Sequence, residues 1–250
     1  MSFLSAEWKW LAMANYAVDP EILRPYLPAS TELDLWEGRS FVSLVGFLFT
    51  NTRLRGIRVP FHTDFEEVNL RTYVRHRSPD GEWRRGVVFI SEIVPLPTLA
   101  FIANQAYQEH YRSMPMRHDI HRTEDTLTVQ YEWKSGRWKS GSWNSFCLVT
   151  DAEPVDQDPL ALDAFITQHY FGYTRMDARH TGEYRVEHPS WKTYPVQGFE
   201  IKVDFLDLYG APFAFLEGRK PDSVLLAEGS DISVGPKRVI KNPGTSTRNP

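Results

Sequence analysis

Glu67, Asn69, Arg71 and Tyr73 occupy every second position of the segment Phe65-Glu66-Glu67-Val68-Asn69-Leu70-Arg71-Thr72-Tyr73-Val74. In an extended strand alternate side chains share a face. Val68, Leu70, Thr72 and Val74 then lie on one side, and a carboxylate, an amide, a guanidinium and a phenol lie in a row on the other. That polar face has two readings. Turned to solvent, it is a ladder with a Glu67–Arg71 attraction worth under about 1 kcal/mol. Turned to an interior, it offers Arg71 as a clamp for a ligand carboxylate and Glu67 as a general acid or base.

The other chemically capable residues read more plainly. His118 and His121 have an H-x-x-H spacing, but their segment is extended. Positions three apart on a strand face opposite ways, so no metal is expected there. His110 and His169 each sit on an apolar helical stripe and read as hydrogen-bonded core histidines. Cys147 lies in the apolar run Ser145-Phe146-Cys147-Leu148-Val149 and reads as a buried small thiol. No G-x-S-x-G elbow, phosphate-cradling glycine loop or dinucleotide fingerprint occurs, and no cofactor is expected. Arg53, Arg55 and Arg58, with Lys134, Arg137 and Lys139, make local basic spots. Beside them Trp133, Trp138 and Trp143 read as a solvated, tryptophan-rich hairpin rather than a base-stacking surface. Whether that hairpin covers a cavity is open.

Several elements must position these groups. Asp19-Pro20 and Asp158-Pro159 each place an N-cap oxygen before a proline at the first helical position. The first is followed by Ile22, Leu23, Tyr26 and Leu27. The second is followed by Leu162, Phe165, Ile166 and His169, an i, i+3, i+4, i+7 stripe. A third helix is expected from about Pro97 to Tyr111, with Leu99, Ala103, Ala106 and His110 on one side. Elsewhere strands dominate. Leu127, Val129, Tyr131 and Trp133 alternate with polar residues, as do Phe199, Ile201, Val203 and Phe205. Ser40 to Phe49 is nearly all apolar, as expected of a strand covered on both faces. Glu37-Gly38, Pro79-Asp80-Gly81 and Ser135-Gly136 mark turns. The polar tail 241–250 is expected to be disordered.

Composition bounds the function classes. The 250 residues carry 28 basic and 32 acidic side chains, a formal charge of −4, which excludes a generic nucleic-acid binder. An apolar content of 42% with 14% aromatics builds a core and excludes global disorder. No run approaches 18 apolar residues, the start lacks a secretion signal, and one cysteine cannot make an internal disulfide. A cytoplasmic protein with no membrane partner is expected. Many strands broken by three helices and no linker predict one α+β domain over 1–240.

A family resemblance sharpens this. Asn15-Tyr16 before the Asp-Pro helix, Leu27-Pro28, Trp36-Glu37-Gly38-Arg39 and Val42-Ser43-Leu44-Val45 open a pattern. It continues with Phe65-x-Glu67-x-Asn69-x-Arg71-x-Tyr73, Arg85-Gly86-Val87-Val88-Phe89 and Met114-Pro115-Met116. Over roughly residues 8–238 the chain resembles the YqjF-like family of uncharacterised bacterial proteins, which is similar in fold to acetoacetate decarboxylase. The resemblance implies an antiparallel, cone-like β-barrel with about three helices outside and a central cavity. The polar face at 67–73 would line that cavity, with Glu67 matching the decarboxylase's first active-site glutamate. The second glutamate would fall near Val87-Val88, where this chain is apolar.

The decarboxylase forms a Schiff base on one lysine of an adjacent pair. The comparable stretch here, Ser113-Met114-Pro115-Met116-Arg117-His118, has no lysine, and none of the chain's eight lysines adjoins another. The resemblance therefore implies a small-molecule site with Glu67 as the catalytic group and Asn69, Arg71, Tyr73, His110 and Met116 as ligand contacts. Three functions stay open: an enzyme acting on a small carboxylic or keto acid by acid–base chemistry, a non-catalytic ligand sensor, and a structural, oligomer-forming protein with a filled barrel.

Overall fold

The computed structural model describes residues 2–60, 62–136 and 141–241, the side chains at 106 and 107 excepted. Arg137, Trp138, Lys139 and the tail from 242 lie outside the described residues. Among those described, strands dominate and form a 12-stranded and a 4-stranded sheet. The larger sheet runs through Ser223–Val234, Leu4–Val18, Ser40–Leu54, Phe65–Arg77, Trp83–Val94, Phe171–Arg175 and His180–Glu187. The path then returns to its first strand, because Val186 pairs Val234 and Glu187 pairs Ser233.

Most pairings are antiparallel, but two depart from the all-antiparallel expectation. Phe171–Arg175 and Tyr111–Ser113 each lie parallel to Trp83–Val94. Both are reached by long excursions from that strand, the length a parallel neighbour requires.

The smaller sheet orders Val196–Lys202, Trp143–Asp151, Thr126–Lys134 and Met116–Arg122, all antiparallel. It packs flat against one face of the larger sheet. Leu127, Val129, Tyr131, Trp133, Phe146 and Leu148 are fully buried against Ala12, Ala14, Val42, Leu44, Val68 and Leu70. Gly46 permits the closest approach, since a Cβ there would meet the Tyr131 ring at 2.8 Å. The other face of the larger sheet carries a second cluster, including Met13, Phe41, Val45, Phe47, Phe49 and Tyr73. Ser40–Phe49 is thus buried on both sides, as its unbroken apolar run predicts.

The helices are few and short: Pro20–Leu23, Pro97–Tyr107, Leu162–Thr167 and Phe205–Tyr209, with 3-10 turns at Arg24–Tyr26 and Ala211–Leu216. Asp19 caps the first as expected, accepting from the Glu21 N–H at 2.9 Å. Three expectations are corrected. Asp158 caps only a turn at Leu160, and the helix begins at Leu162. The alternation through Phe205 ends at Lys202, because Asp204 accepts from the Asp207 N–H and starts a helix. Phe199, on this edge strand, is 41% exposed instead of buried.

The third correction moves a candidate site residue. The Pro97–Tyr107 helix stops four residues short of Tyr111, with Gln108 in the left-handed region at φ 59°. Asn104 locks this ending, donating from Nδ2 to the Tyr111 carbonyl and accepting the Tyr111 N–H. Beyond Gln108 the chain is extended, so residues 109, 110 and 111 alternate with period two rather than 3.6. Glu109 turns inward and His110 turns to solvent.

Candidate functional site

Glu67, Asn69 and Arg71 line a cavity of about 180 Å³ on the face of the larger sheet turned away from the smaller one. All three are buried, at 2%, 1% and 9% exposure. The strand alternation delivers this arrangement, sending Val68 and Leu70 into the core beneath the smaller sheet. Asn69 donates from Nδ2 to Glu67 Oε1 at 3.0 Å, which fixes the carboxyl in the cavity.

The neighbouring strand adds a second carboxyl through a defect in pairing. Leu70 pairs with Ser91 but Arg71 pairs with Phe89, so one extra residue bulges from Trp83–Val94. Before the bulge Val87 and Phe89 line the cavity; after it Glu92 and Val94 do. An unbroken alternation would have sent Glu92 to the opposite face. The extra residue switches the phase, as bulges beside functional sites do. Glu92 then sits directly across from Asn69, and Tyr111 pairs beside Glu92 on the other side. The Tyr111 hydroxyl donates to Glu67 Oε2 at 3.2 Å. Glu109, two residues before, accepts from the Tyr184 hydroxyl at 2.9 Å.

Three buried carboxyls in one cavity cannot all ionise cheaply. Burial pushes Glu67 up to about 7, although bonds from Asn69 and Tyr111 and the charge of Arg71 pull it down. Burial also lifts Glu109 to about 8, against the pull of Tyr184 and Lys237. Glu92 goes well above the ordinary range through burial and then repulsion from Glu109 and Glu67. At neutral pH the cluster is therefore mostly protonated. Arg71 faces it as a buried cation, with no salt bridge among the described residues. Its NH2 contacts Met13 Sδ at 3.8 Å, its guanidinium carbon lies 5.7 Å from the Tyr73 ring centre, and its Nε has no partner. Asn69 Oδ1 and Glu92 Oε2 are likewise buried without partners.

His169 completes the polar lining. Burial drives it down to about 4, outweighing its 3.1 Å contact with Asp34, so the imidazole is neutral at pH 7. Asp34 in turn is paired with Arg85 at 2.5 Å.

The six sequence candidates separate clearly. Glu67, Asn69 and Arg71 meet in the cavity. Tyr73 shares their face but is packed behind Arg71, against Phe165 and His169, with its hydroxyl 2.6 Å from Ser43 Oγ. His110 is exposed, for the helix-end reason given above. Met116 pairs with Trp133 on the smaller sheet and packs on the core between the sheets. Trp133 is buried in that same core, and Trp143 is 41% exposed beneath Arg117, so neither lines the cavity.

Outside the site, the expected buried thiol of Cys147 is half-buried, facing Gln130 and Glu200. His118 is exposed and contacts Glu66 at 2.7 Å. Glu92, Glu109 and Tyr111 escaped the sequence reading. The available signal was Glu92 itself, the lone charged residue in the mostly apolar run Val87–Val94.

The DUF2071 model, described as an uncharacterized conserved protein, matches residues 5–231. The chain belongs to this family. It is 39% identical to the uncharacterized protein YqjF of Bacillus subtilis (strain 168) over 75 residues, 30% of this chain and 31% of that protein. Solved structures share the fold. Acetoacetate decarboxylase from Legionella pneumophila superposes with a TM-score of 0.63 at 15% identity, over 94% of this chain and 86% of its own. An acetoacetate decarboxylase-like enzyme from Sphingomonas wittichii RW1 gives 0.65 at 10% identity, over 96% and 94%. The enduracididine biosynthesis enzyme MppR complexed with pyruvate gives 0.63 at 11% identity, over 97% and 92%. Among the described residues, no lysine lines this chain's cavity.

Proposed function

We propose that the closed strand path works as a cone-like barrel whose bore binds a small carboxylic or keto acid. The observation that carries this is the buried Arg71 guanidinium, which makes no salt bridge among the described residues and whose Nε has no partner, while burial holds protons on Glu92 and Glu109 and on about half of Glu67 at pH 7. A buried charge without a counter-charge is costly, and a ligand carboxylate supplies one. Asn69 is placed beside it to bind the same ligand.

Glu67, held near neutrality by burial, is suited to hand a proton to or from a bound carbonyl. Had Glu67 been a mere counter-ion for Arg71, its carboxyl would sit below the ordinary range rather than above it. Acid–base chemistry without a Schiff-base lysine is therefore the favoured reaction class. The pyruvate bound by MppR supports an oxo acid as the kind of ligand that this fold accommodates.

The test is calorimetric titration of the protein at pH 7 with pyruvate, using methyl pyruvate as the uncharged control. Pyruvate binds and its ester does not, and Arg71→Gln loses at least tenfold in affinity. Equal binding of acid and ester, or an unaffected Arg71→Gln variant, refutes recognition of a carboxylate by Arg71.

A further inference from the structure

The cavity is larger than a pyruvate-sized acid needs, and its two ends differ in chemistry. At about 15 Å³ per water-sized occupant, 180 Å³ holds roughly a dozen non-hydrogen atoms. The polar groups gather at the deep end, where Glu67, Asn69 and Glu92 are at most 2% exposed. Toward solvent the lining is mostly apolar, with His62 the polar exception, and reaches Val59 at 36% and Ile102 at 43% exposure.

Between the two ends stands a wall of aromatic rings. Trp8 meets Phe47 edge-on at 5.3 Å and Phe49 at 5.9 Å, and Phe49 stacks on Phe65 at 4.7 Å. All four line the cavity. A short acid anchored at Arg71 would leave this wall without a partner and about half the volume unfilled by ligand.

We propose that the ligand is a carboxylic acid with an aryl tail, about a dozen non-hydrogen atoms in all, held carboxylate-inward at Arg71. This rests on the acid-binding reading above and narrows it to a substrate class. The ring of the tail lies along the Trp8–Phe47–Phe49 wall, where edge-to-face contact adds to the gain from burying apolar area. The tail points toward the Val59–Ile102 rim, so no polar group is stranded against apolar wall.

Titration of the full chain at pH 7 with matched pairs tests this: pyruvate against phenylpyruvate, and propionate against 3-phenylpropionate. The neutral control is 2-phenylethanol. Each aryl acid should bind at least tenfold tighter than its short counterpart, about 1.4 kcal/mol, and tighter than 2-phenylethanol. Ala103→Trp, which adds bulk to the cavity lining from the Pro97–Tyr107 helix, should lower aryl-acid affinity by more than pyruvate affinity and so erase the aryl advantage. If that variant does not fold, the wild-type series still decides.

Short and aryl acids binding equally overturns the tail while leaving acid binding intact. Aryl acids and 2-phenylethanol binding equally, with Arg71→Gln without effect, overturns the acid reading instead. No binding by any of the five probes overturns both.

Discussion

Replacing Glu67 by glutamine removes its titration while keeping its shape, and the consequence for stability follows from the burial of the carboxyl. Its ordinary value of 4.5 rises to about 7 in the fold. Between those limits the unfolded chain has released the proton that the folded chain still holds. Stability from this group is therefore complete below about pH 4.5 and lost as pH rises through 7. The loss is about 3 kcal/mol. The amide of Glu67→Gln keeps an acceptor for Asn69 or Tyr111 but turns its NH2 against the other, at a cost of about 1 kcal/mol. At pH 5 wild type has already lost about 1 kcal/mol of this contribution, so the two proteins should be about equally stable. At pH 8 it should be more stable by about 2 kcal/mol.

The wild-type curve alone does not reveal this. His169 falls from 6.5 to about 4, so stability drops as pH falls through that window, also by about 3 kcal/mol. The two slopes oppose each other between about pH 4.5 and 6.5. The difference between the two proteins cancels His169 and leaves Glu67 together with the relief of the charge repulsion that it exerts on Glu92 and Glu109. Urea denaturation of both at half-unit steps from pH 5 to 9 gives that difference. Two parallel curves across the range would sink the claim that Glu67 keeps its proton through burial.

Two substitutions test the supports of the site. Gly172→Ala would drive a Cβ into the Tyr184 ring, displacing the hydroxyl that holds Glu109; a loss of about 1–3 kcal/mol should lower the thermal midpoint by several degrees, and an unchanged midpoint would contradict the close packing. Asn104→Ala removes both side-chain bonds to the Tyr111 backbone, and should cost about 1–2 kcal/mol and speed hydrogen exchange at the Tyr111 amide. Unaltered exchange there would show that the helix end is held by something else.

What could be read from the sequence was whatever depends on an unbroken period. Thr126–Lys134 alternates without interruption, and its buried face is the expected Leu127, Val129, Tyr131 and Trp133. The face bearing Glu67, Asn69 and Arg71 was legible for the same reason, because the bulge beside it inserts its extra residue in the partner strand. That same bulge hid Glu92. Parity counted from Val87 and Phe89 assigns Glu92 to the wrong side, and the stretch Phe89-Ile90-Ser91 carries no glycine or proline to mark where pairing slips. His110 failed differently. The apolar stripe from Leu99 continues in register past Gln108, but two hydrogen bonds from Asn104 to Tyr111 favour a left-handed residue and an extended exit over another helical turn. Such a choice rests on contacts distant in space from the residue misplaced, and local propensity does not encode it.

The fold neighbours, at 10–15% identity over nearly the whole chain, share the sheets and not the sequence. Function must then be argued from the cavity. A Schiff-base site needs a lysine that loses its proton, and an apolar pocket favours that loss. Arginine does not lose its proton under the same burial. A guanidinium in this cavity keeps its charge, and the carboxyls around it relieve their own burial by taking up protons, which leaves the cation short of a counter-charge. The result is a site whose net charge is positive while it is rich in acidic residues. A carboxylate bound as proposed would meet attraction from Arg71 and a hydrogen-bond donor on protonated Glu92, and on Glu67 below about pH 7, where ionised groups would repel it. Raising the pH above about 8 ionises Glu67 and Glu109 and reverses that balance. Acid affinity should therefore weaken with rising pH over the window set by these carboxyls, and a pH-independent affinity from about 6 to 9 would refute their part in binding.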